Sequence, residues 1–384
     1  MAKLFSNLYK LYTSDLKDGD VERLLRSEAP EVYRFYLDSV AKQNRASMNS
    51  GQRKIALIKD LALAFLERLT PVRRIAFSLA FVIFFYAAFT NIWFWAMLAF
   101  LTIVALLAFE VAEKLTAASE LDIAKNIQEE LVMSAPPANS PLKVAAYSRP
   151  AKTVGGDFLN YFPLNCEEKK HFYLLGDISG KGMLAALYMV RVHSLLVYLS
   201  KTLGTGREVM IELNKVLNTI FKPGLFFTAA AIEVGDENKL KLFRAGHMPF
   251  LYYNAEKKEV SELKPDGIGI GLRNNGLFEK TLQELELELK PGDVLLVYSD
   301  GVTEAIDERE HEYGLPRLEK NLLKNAEKPA DQIMQALLRS INNFTYNTPM
   351  RDDITVLVLQ NFRTSELQNL SVTEVLKYRS SEVP

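Results

Sequence analysis

Across 384 residues, 46 lysines and arginines offset 47 aspartates and glutamates, leaving a formal net charge of −1. That balance excludes the basic field expected of a nucleic-acid partner. A single cysteine, Cys166, excludes an internal disulfide framework and a thiolate zinc cluster.

Met1 to Tyr12 has neither the apolar core nor the small-residue cleavage site of a signal peptide. Residues 1–71 read as a helical cytoplasmic head. From Asp20 to Arg45 the pattern is helical: Pro30 after Ser27 suits a first turn, and Val32, Phe35, Tyr36 and Val40 share one face. Asn49-Ser50-Gly51 breaks it. Ile55 to Leu69 is apolar but interrupted by Lys59, Asp60, Glu67 and Arg68, which predicts an amphipathic helix, not a membrane span.

Ile75 to Phe109 carries no charged side chain. One helix of that length would run roughly 50 Å, against a hydrocarbon core of roughly 30 Å. Two transmembrane helices within residues 72–109 fit instead, Val72–Phe89 and Ile92–Phe109, turning at Thr90-Asn91. Trp93 and Trp95 suit an aromatic belt beside that turn. Arg68, Arg73 and Arg74 before the hairpin and Lys114 after it place both ends in the cytoplasm.

No glycine or proline interrupts Trp93 to Ala135, so the second span continues as a connecting helix over residues 110–135 until Pro136-Pro137 stops it. Ala124, Ile127 and Leu131 form a narrow apolar stripe among Asp122, Lys125, Glu129 and Glu130. Such a stripe suits either a homodimer through this helix or packing on the chain's own catalytic domain.

Residues 140–361 change character. Strands are expected at Lys143–Tyr147, Phe172–Leu175, Phe227–Val234, Lys239–Arg244, Phe250–Tyr253, Val294–Tyr298 and Ile354–Leu359, with helices at Met183–Lys201 and Arg207–Phe221. Strands in adjacent runs favour an α+β layered fold over a doubly wound one. Residues 362–384 read as a short tail without an assigned role.

Four aspartates stand at strand ends or turns of this region: Asp157 after Gly155-Gly156, Asp177 after Gly176, Asp300 after the run Val294–Ser299, and Asp352 before Ile354–Leu359. Carboxylates without histidine or cysteine partners make a hard-oxygen site, suited to magnesium or manganese and not to zinc. Two such ions about 3.5–4 Å apart can hold a bridging hydroxide for in-line attack at phosphorus. The glycine-rich Gly176–Gly182 lacks the spacing of a nucleotide P-loop, because Lys181 is followed by Gly182.

Val154-Gly155-Gly156-Asp157-Phe158, Gly176-Asp177-Ile178-Ser179-Gly180-Lys181-Gly182, Arg244-Ala245-Gly246-His247-Met248-Pro249, Tyr298-Ser299-Asp300-Gly301 and Asp352-Asp353-Ile354-Thr355-Val356 occur in order. Together they resemble the motifs of the bacterial PPM (PP2C-like) serine/threonine phosphatases of the SpoIIE/RsbU type. The resemblance extends over residues 120–361 and includes the lead-in helix Glu120–Leu131. It implies a PP2C-like β-sandwich flanked by helices, two divalent cations (Mn or Mg), and a phosphorylated protein as substrate. By motif, Asp177 would bridge both ions and the Ile178 carbonyl would bind one of them. Asp300 and Asp352 would hold the first ion and Asp157 the second. Asp353 is an auxiliary neighbour that would orient Asp352 or a water.

The pattern is not complete. Asn160 stands where family members often carry a further aspartate, and Ser179 where eukaryotic relatives place a histidine. The phosphate-holding arginine of those relatives has no fixed match; Arg149, Lys152, Gly180 and Lys181 are the candidate substrate-binding positions. His247 has two readings, a turn-ordering residue or a catalytic one. The expected function is a membrane-anchored, multi-pass protein phosphatase with a cytoplasmic catalytic domain. Its substrate in relatives is often a STAS-type anti-sigma-factor antagonist of a bacterial partner-switching pathway. The alternative is a catalytically silent membrane scaffold for a phosphorylated partner, whose signature, loss of a metal carboxylate, is not found.

Overall fold

The structure is a computed structural model that describes residues 69–131, 140–165, 167–180, 182–235, 238–272, 276–346 and 348–361, with isolated positions 63, 65 and 66. The expected head helices, the Pro136-Pro137 stop, Cys166, Lys181 and the tail lie outside the described residues. The chain divides into two compact units, Met1–Thr116 and Ala117–Pro384.

In the first unit, helix α1 (Pro71–Phe89) starts with Pro71 in its first turn, where the missing N–H costs nothing. Helix α2 (Trp93–Leu131) follows without a break to its end in the second unit. The turn between them sits where the polar pair Thr90-Asn91 predicts it. Asn91 takes φ 58° and Ile92 N–H donates to the Ala87 carbonyl at 2.9 Å. Arg73 ties the start of α1 to Glu110 at 3.3 Å and Glu113 at 2.5 Å. Ala80, Ala87, Ala96 and Ala99 are buried, while Phe85, Phe89, Trp93, Phe94 and Phe109 are exposed. Both helices are long and apolar enough to cross a membrane.

The second unit contains β1 (Lys143–Arg149), β2 (Asp157–Leu164), β3 (Glu167–Ile178), α3 (Met183–Thr202), α4 (Gly206–Ile220), β4 (Phe227–Val234), β5 (Lys239–Ala245), β6 (Phe250–Asn254) and β7 (Glu259–Leu263). It continues through α5 (Leu277–Thr281), β8 (Glu284–Glu288), β9 (Val294–Tyr298), α6 (Asp300–Thr303), α7 (Leu315–Asn325), α8 (Ala330–Thr345) and β10 (Ile354–Gln360). Two five-stranded antiparallel sheets form, in the orders β1-β10-β9-β6-β7 and β2-β3-β4-β5-β8.

The period-2 alternation of each central strand decides what lies on either side. On β3, Phe172 and Leu174 join the core beneath α3 and α4, whereas Tyr173 and Leu175 join the core between the sheets. On β10, Val356 and Val358 face the core beneath α7 and α8, and Leu357 and Leu359 face the other sheet. The result is a β-sandwich with a helix pair on each outer face, the layered α+β fold expected. Helix α3 is also apolar enough to span a membrane, but Ala185, Met189, Val192 and Leu196 on one side are fully buried in the core.

Three strands and two long helices go beyond the sequence expectation. β2, β7 and β8 all sit at sheet edges, where strands carry proline and charge in place of apolar runs. β2 holds Pro163 at a bulge, and β8 reads Glu-Leu-Glu-Leu-Glu. α7 and α8 bury Leu318 and Leu322, and Ile333, Leu337 and Ile341, on otherwise polar helices.

Candidate active site

The sandwich brings the four aspartates to one end. β2 begins at Asp157, and β3, antiparallel to it, ends at Asp177-Ile178, so Asp157 and Asp177 are register partners. In the other sheet, β9 ends at Tyr298 just before Asp300, and its neighbour β10 begins just after Asp352-Asp353. Asp353 joins the two ends: its Oδ1 accepts the Ala151 N–H at 2.7 Å and its Oδ2 the Gly156 N–H at 2.6 Å.

Asp157 is buried, and its Oδ2 has no hydrogen-bond partner. Burial pushes its carboxyl well above the usual range, with Asp177 and Asp353 adding to the shift and Thr355 and Ser299 opposing it. Asp300 is also raised, by burial and then by Asp352 beside it. The acids therefore stand as two couples, Asp157 with Asp177 and Asp300 with Asp352. Among the described residues no three His, Cys, Asp or Glu side chains gather into one cluster that could hold an ion.

Gly156 explains why the first motif needs glycine: a Cβ there would lie 2.7 Å from Asp177 Oδ1 and 3.2 Å from the Ile178 carbonyl oxygen. Those two oxygens thus face the same narrow space. An all-oxygen donor set, an orphaned buried carboxylate oxygen and a space kept free of side chain fit a hard divalent cation. The turn that presents Asp177 is held by Ser179, whose Oγ accepts the Phe226 N–H at 2.7 Å. Gly180 and Gly182 then take φ 120° and 67° before α3 starts.

The remaining expected positions are distributed unevenly. Arg149, paired with Ile354 at the end of β1, and Lys152 in the following turn are exposed, as is Gly180. His247 is buried, with Nδ1 2.9 Å from Thr228 Oγ1, and burial lowers its pKa to about 4. Thr228 is the register partner of Asp177 on β4, so His247 reaches the site through a neighbour and not directly.

Two polar residues of the sequence take on roles that the apolar pattern hides. Gln128, near the end of α2, donates to the Gly155 carbonyl at 2.7 Å and accepts the Gly155 N–H at 3.0 Å. Asn160 donates to the Leu131 carbonyl at 2.8 Å, closing the C-terminal turn of α2. Of the expected stripe, Ala124 and Leu131 are half-buried and Ile127 is 46% exposed, and the fully buried side chain beside them is Gln128. A glutamine in a charged segment gives no periodic signal, so only contact reveals it.

Residues 167–362 match the family model for stage II sporulation protein E (SpoIIE). The chain belongs to the SpoIIE family. The phosphoserine phosphatase RsbU of Bacillus subtilis is 27% identical over 247 residues, which is 63% of this chain and 70% of RsbU. Protein IcfG of Synechocystis is 27% identical over 271 residues, 62% of this chain but 41% of IcfG. The SiaA-PP2C domain of Pseudomonas aeruginosa superposes with a TM-score of 0.55 at 21% identity, over 65% of this chain and 98% of that domain. This SpoIIE family member therefore has the PP2C-like sandwich that its motifs imply.

Proposed function

We propose that this chain is a membrane-anchored, divalent-cation-dependent protein phosphatase that hydrolyses phosphoserine or phosphothreonine on a cytoplasmic signalling protein. The observation that carries the reading is Asp157, a buried carboxylate with an unpartnered oxygen, set opposite Asp177 in a SpoIIE-family sandwich. Such a group lacks a counter-charge, and a cation would supply it.

Asp157, Asp177, Asp300, Asp352 and the Ile178 carbonyl would hold two ions, Mn or Mg. Cations bound there supply Lewis acidity to the phosphoryl group and make water acidic enough to act as nucleophile near neutral pH. The chain's own part is positional. Gly156 keeps space open before Asp177, Ser179 fixes the turn that carries it, and exposed Arg149 and Lys152 offer positive charge to the phosphate. His247 stays neutral and orders Thr228.

Residues 72–109 form the membrane hairpin in this reading, between a head (1–71) and a connecting helix (110–135) that leads to the catalytic domain (140–361) and the tail (362–384). The exposed apolar helices α1 and α2 support that anchoring. Exposed Ile123 and Ile127, four residues apart on α2, support a homodimer through the connecting helix. The phosphoserine phosphatase relative RsbU supports a phosphoserine protein as substrate, and we assign it to the STAS-type antagonist class. The full-length chain with Mn2+ should release phosphate from such a phosphoprotein, and Asp300→Asn should not. Equal rates from the two proteins would overturn the proposal.

A further inference from the structure

We infer that Asp353 is a positioning residue for the cation site, clamping the 151–157 turn across the two sheets and so setting where Asp157 points. The assignment rests on the phosphatase reading above and gives Asp353 a task different from that of its neighbour Asp352.

Both oxygens of the Asp353 carboxylate are taken up by backbone donors. Oδ1 accepts from Ala151 at 2.7 Å, and Oδ2 accepts from Gly156 at 2.6 Å and from Asp157 at 3.4 Å. A buried carboxylate surrounded by N–H groups is already stabilised by them. Its own backbone is fixed as well: the Asp353 carbonyl accepts Ser299 Oγ at 3.1 Å, and Ser299 Oγ accepts the Thr355 N–H at 2.9 Å. The clamp therefore stands on β9 and β10 and reaches over to the turn that starts β2. Gln128 grips the same turn at Gly155. An asparagine could not replace Asp353, because its amide would turn N–H groups toward N–H groups.

The test uses the full-length chain in detergent, as wild type, Asp353→Asn, Gly155→Ala and Asp352→Asn. Gly155→Ala keeps every carboxylate but drives a methyl group into the Asp353 carboxylate, so it serves where Asp353→Asn does not fold. Hydrogen exchange of the cation-free protein should quicken at Ala151, Gly156 and Asp157 in both clamp variants. Mn2+ affinity, read by electron paramagnetic resonance of free Mn2+, should fall about tenfold or more. At saturating Mn2+ the kcat of the clamp variants should return to within about twofold of wild type, while Asp352→Asn stays inactive.

Unchanged exchange, or faster exchange with unchanged Mn2+ affinity, would overturn the assignment. So would a kcat that stays lost at saturating Mn2+, since Asp353 would then be a ligand itself. A wild type that binds no Mn2+ would overturn it too. A wild type that binds Mn2+ and shows the expected variant pattern, yet hydrolyses no phosphoserine, would sink the proposed function and leave the clamp standing.

Discussion

Asp157 and Asp177 are partners across the β2–β3 ladder, yet their surroundings differ: Asp157 is buried with one oxygen unpartnered, whereas Asp177 is half-buried beside the gap that Gly156 leaves. The pair concentrates negative charge where desolvation is strongest. A fold keeps such a pair only if something else offsets it.

Replacing Asp157 by Asn should therefore act in opposite directions with and without cation. In chelator the variant should be more stable than wild type, because the carboxyl that burial and Asp177 disfavour in its charged form is gone. With Mn2+ present the order should reverse, and phosphatase activity should fall by about 100-fold or more. Thermal unfolding in EDTA and in Mn2+ measures both. A wild type that is the more stable protein in EDTA would contradict the account of Asp157.

Gly156→Ala isolates the space in front of Asp177. Its methyl carbon would stand 2.7 Å from the Asp177 carboxylate and 3.2 Å from the Ile178 carbonyl, and overpacking of this kind costs about 1–3 kcal/mol. The expected outcome is a cation affinity lowered at least about tenfold. Gly204→Ala, where a Cβ meets nothing within 4 Å, is the control and should bind Mn2+ as wild type does.

The chemistry-bearing end of this fold was more legible than its frame. Gly176–Gly182 and the Asp300 and Asp352 turns announce themselves because a central, doubly covered strand is a continuous apolar run, and a glycine or acid at its end stands out. The edge strands β2, β7 and β8 give no such contrast, since edges favour charge and proline. Asp353 stands out in the sequence as the neighbour of Asp352, but its contacts with the 151–157 turn, like those of Gln128, were hidden for a different reason. Gln128 and Asp353 act on backbone N–H and C=O groups brought close by long-range pairing, and backbone partners leave no trace in side-chain spacing. Asn160, a departure from the family pattern on paper, gains its meaning from Leu131 at the end of α2.

Acid should weaken the catalytic unit through His247. Its folded pKa, near 4, lies below the 6.5 of an ordinary histidine because burial disfavours the charged ring. Above pH 6.5 both folded and unfolded forms are neutral and the group is silent. As pH falls from 6.5 toward 4 the unfolded chain takes up a proton that the folded chain refuses, so stability drops by about 1.4 kcal/mol per pH unit. His171 and His193 are lowered by burial in the same direction. His247→Gln retains a polar partner for Thr228, so the slope of unfolding free energy against pH between 6.5 and 4 should decrease by about one proton. An unchanged slope would show that His247 is not buried as a neutral ring.

Helix α2 offers the last test, because it runs from Trp93 to Leu131 without glycine, proline or interruption and ends in the two contacts, Gln128 to Gly155 and Asn160 to Leu131, that border the Asp157 turn. If a state of the membrane segment is transmitted along it, the rotational phase of the helix must matter. Each inserted residue turns the downstream part of the helix by roughly 100°, and about 3.6 residues restore the phase. Insertion of one, two or three alanines after Ala118 should change phosphatase activity, and insertion of four should bring it back toward wild type. Circular dichroism would verify that each protein keeps its helix content. A flat activity across the whole series would mean that the catalytic domain works independently of the helix that leads into it.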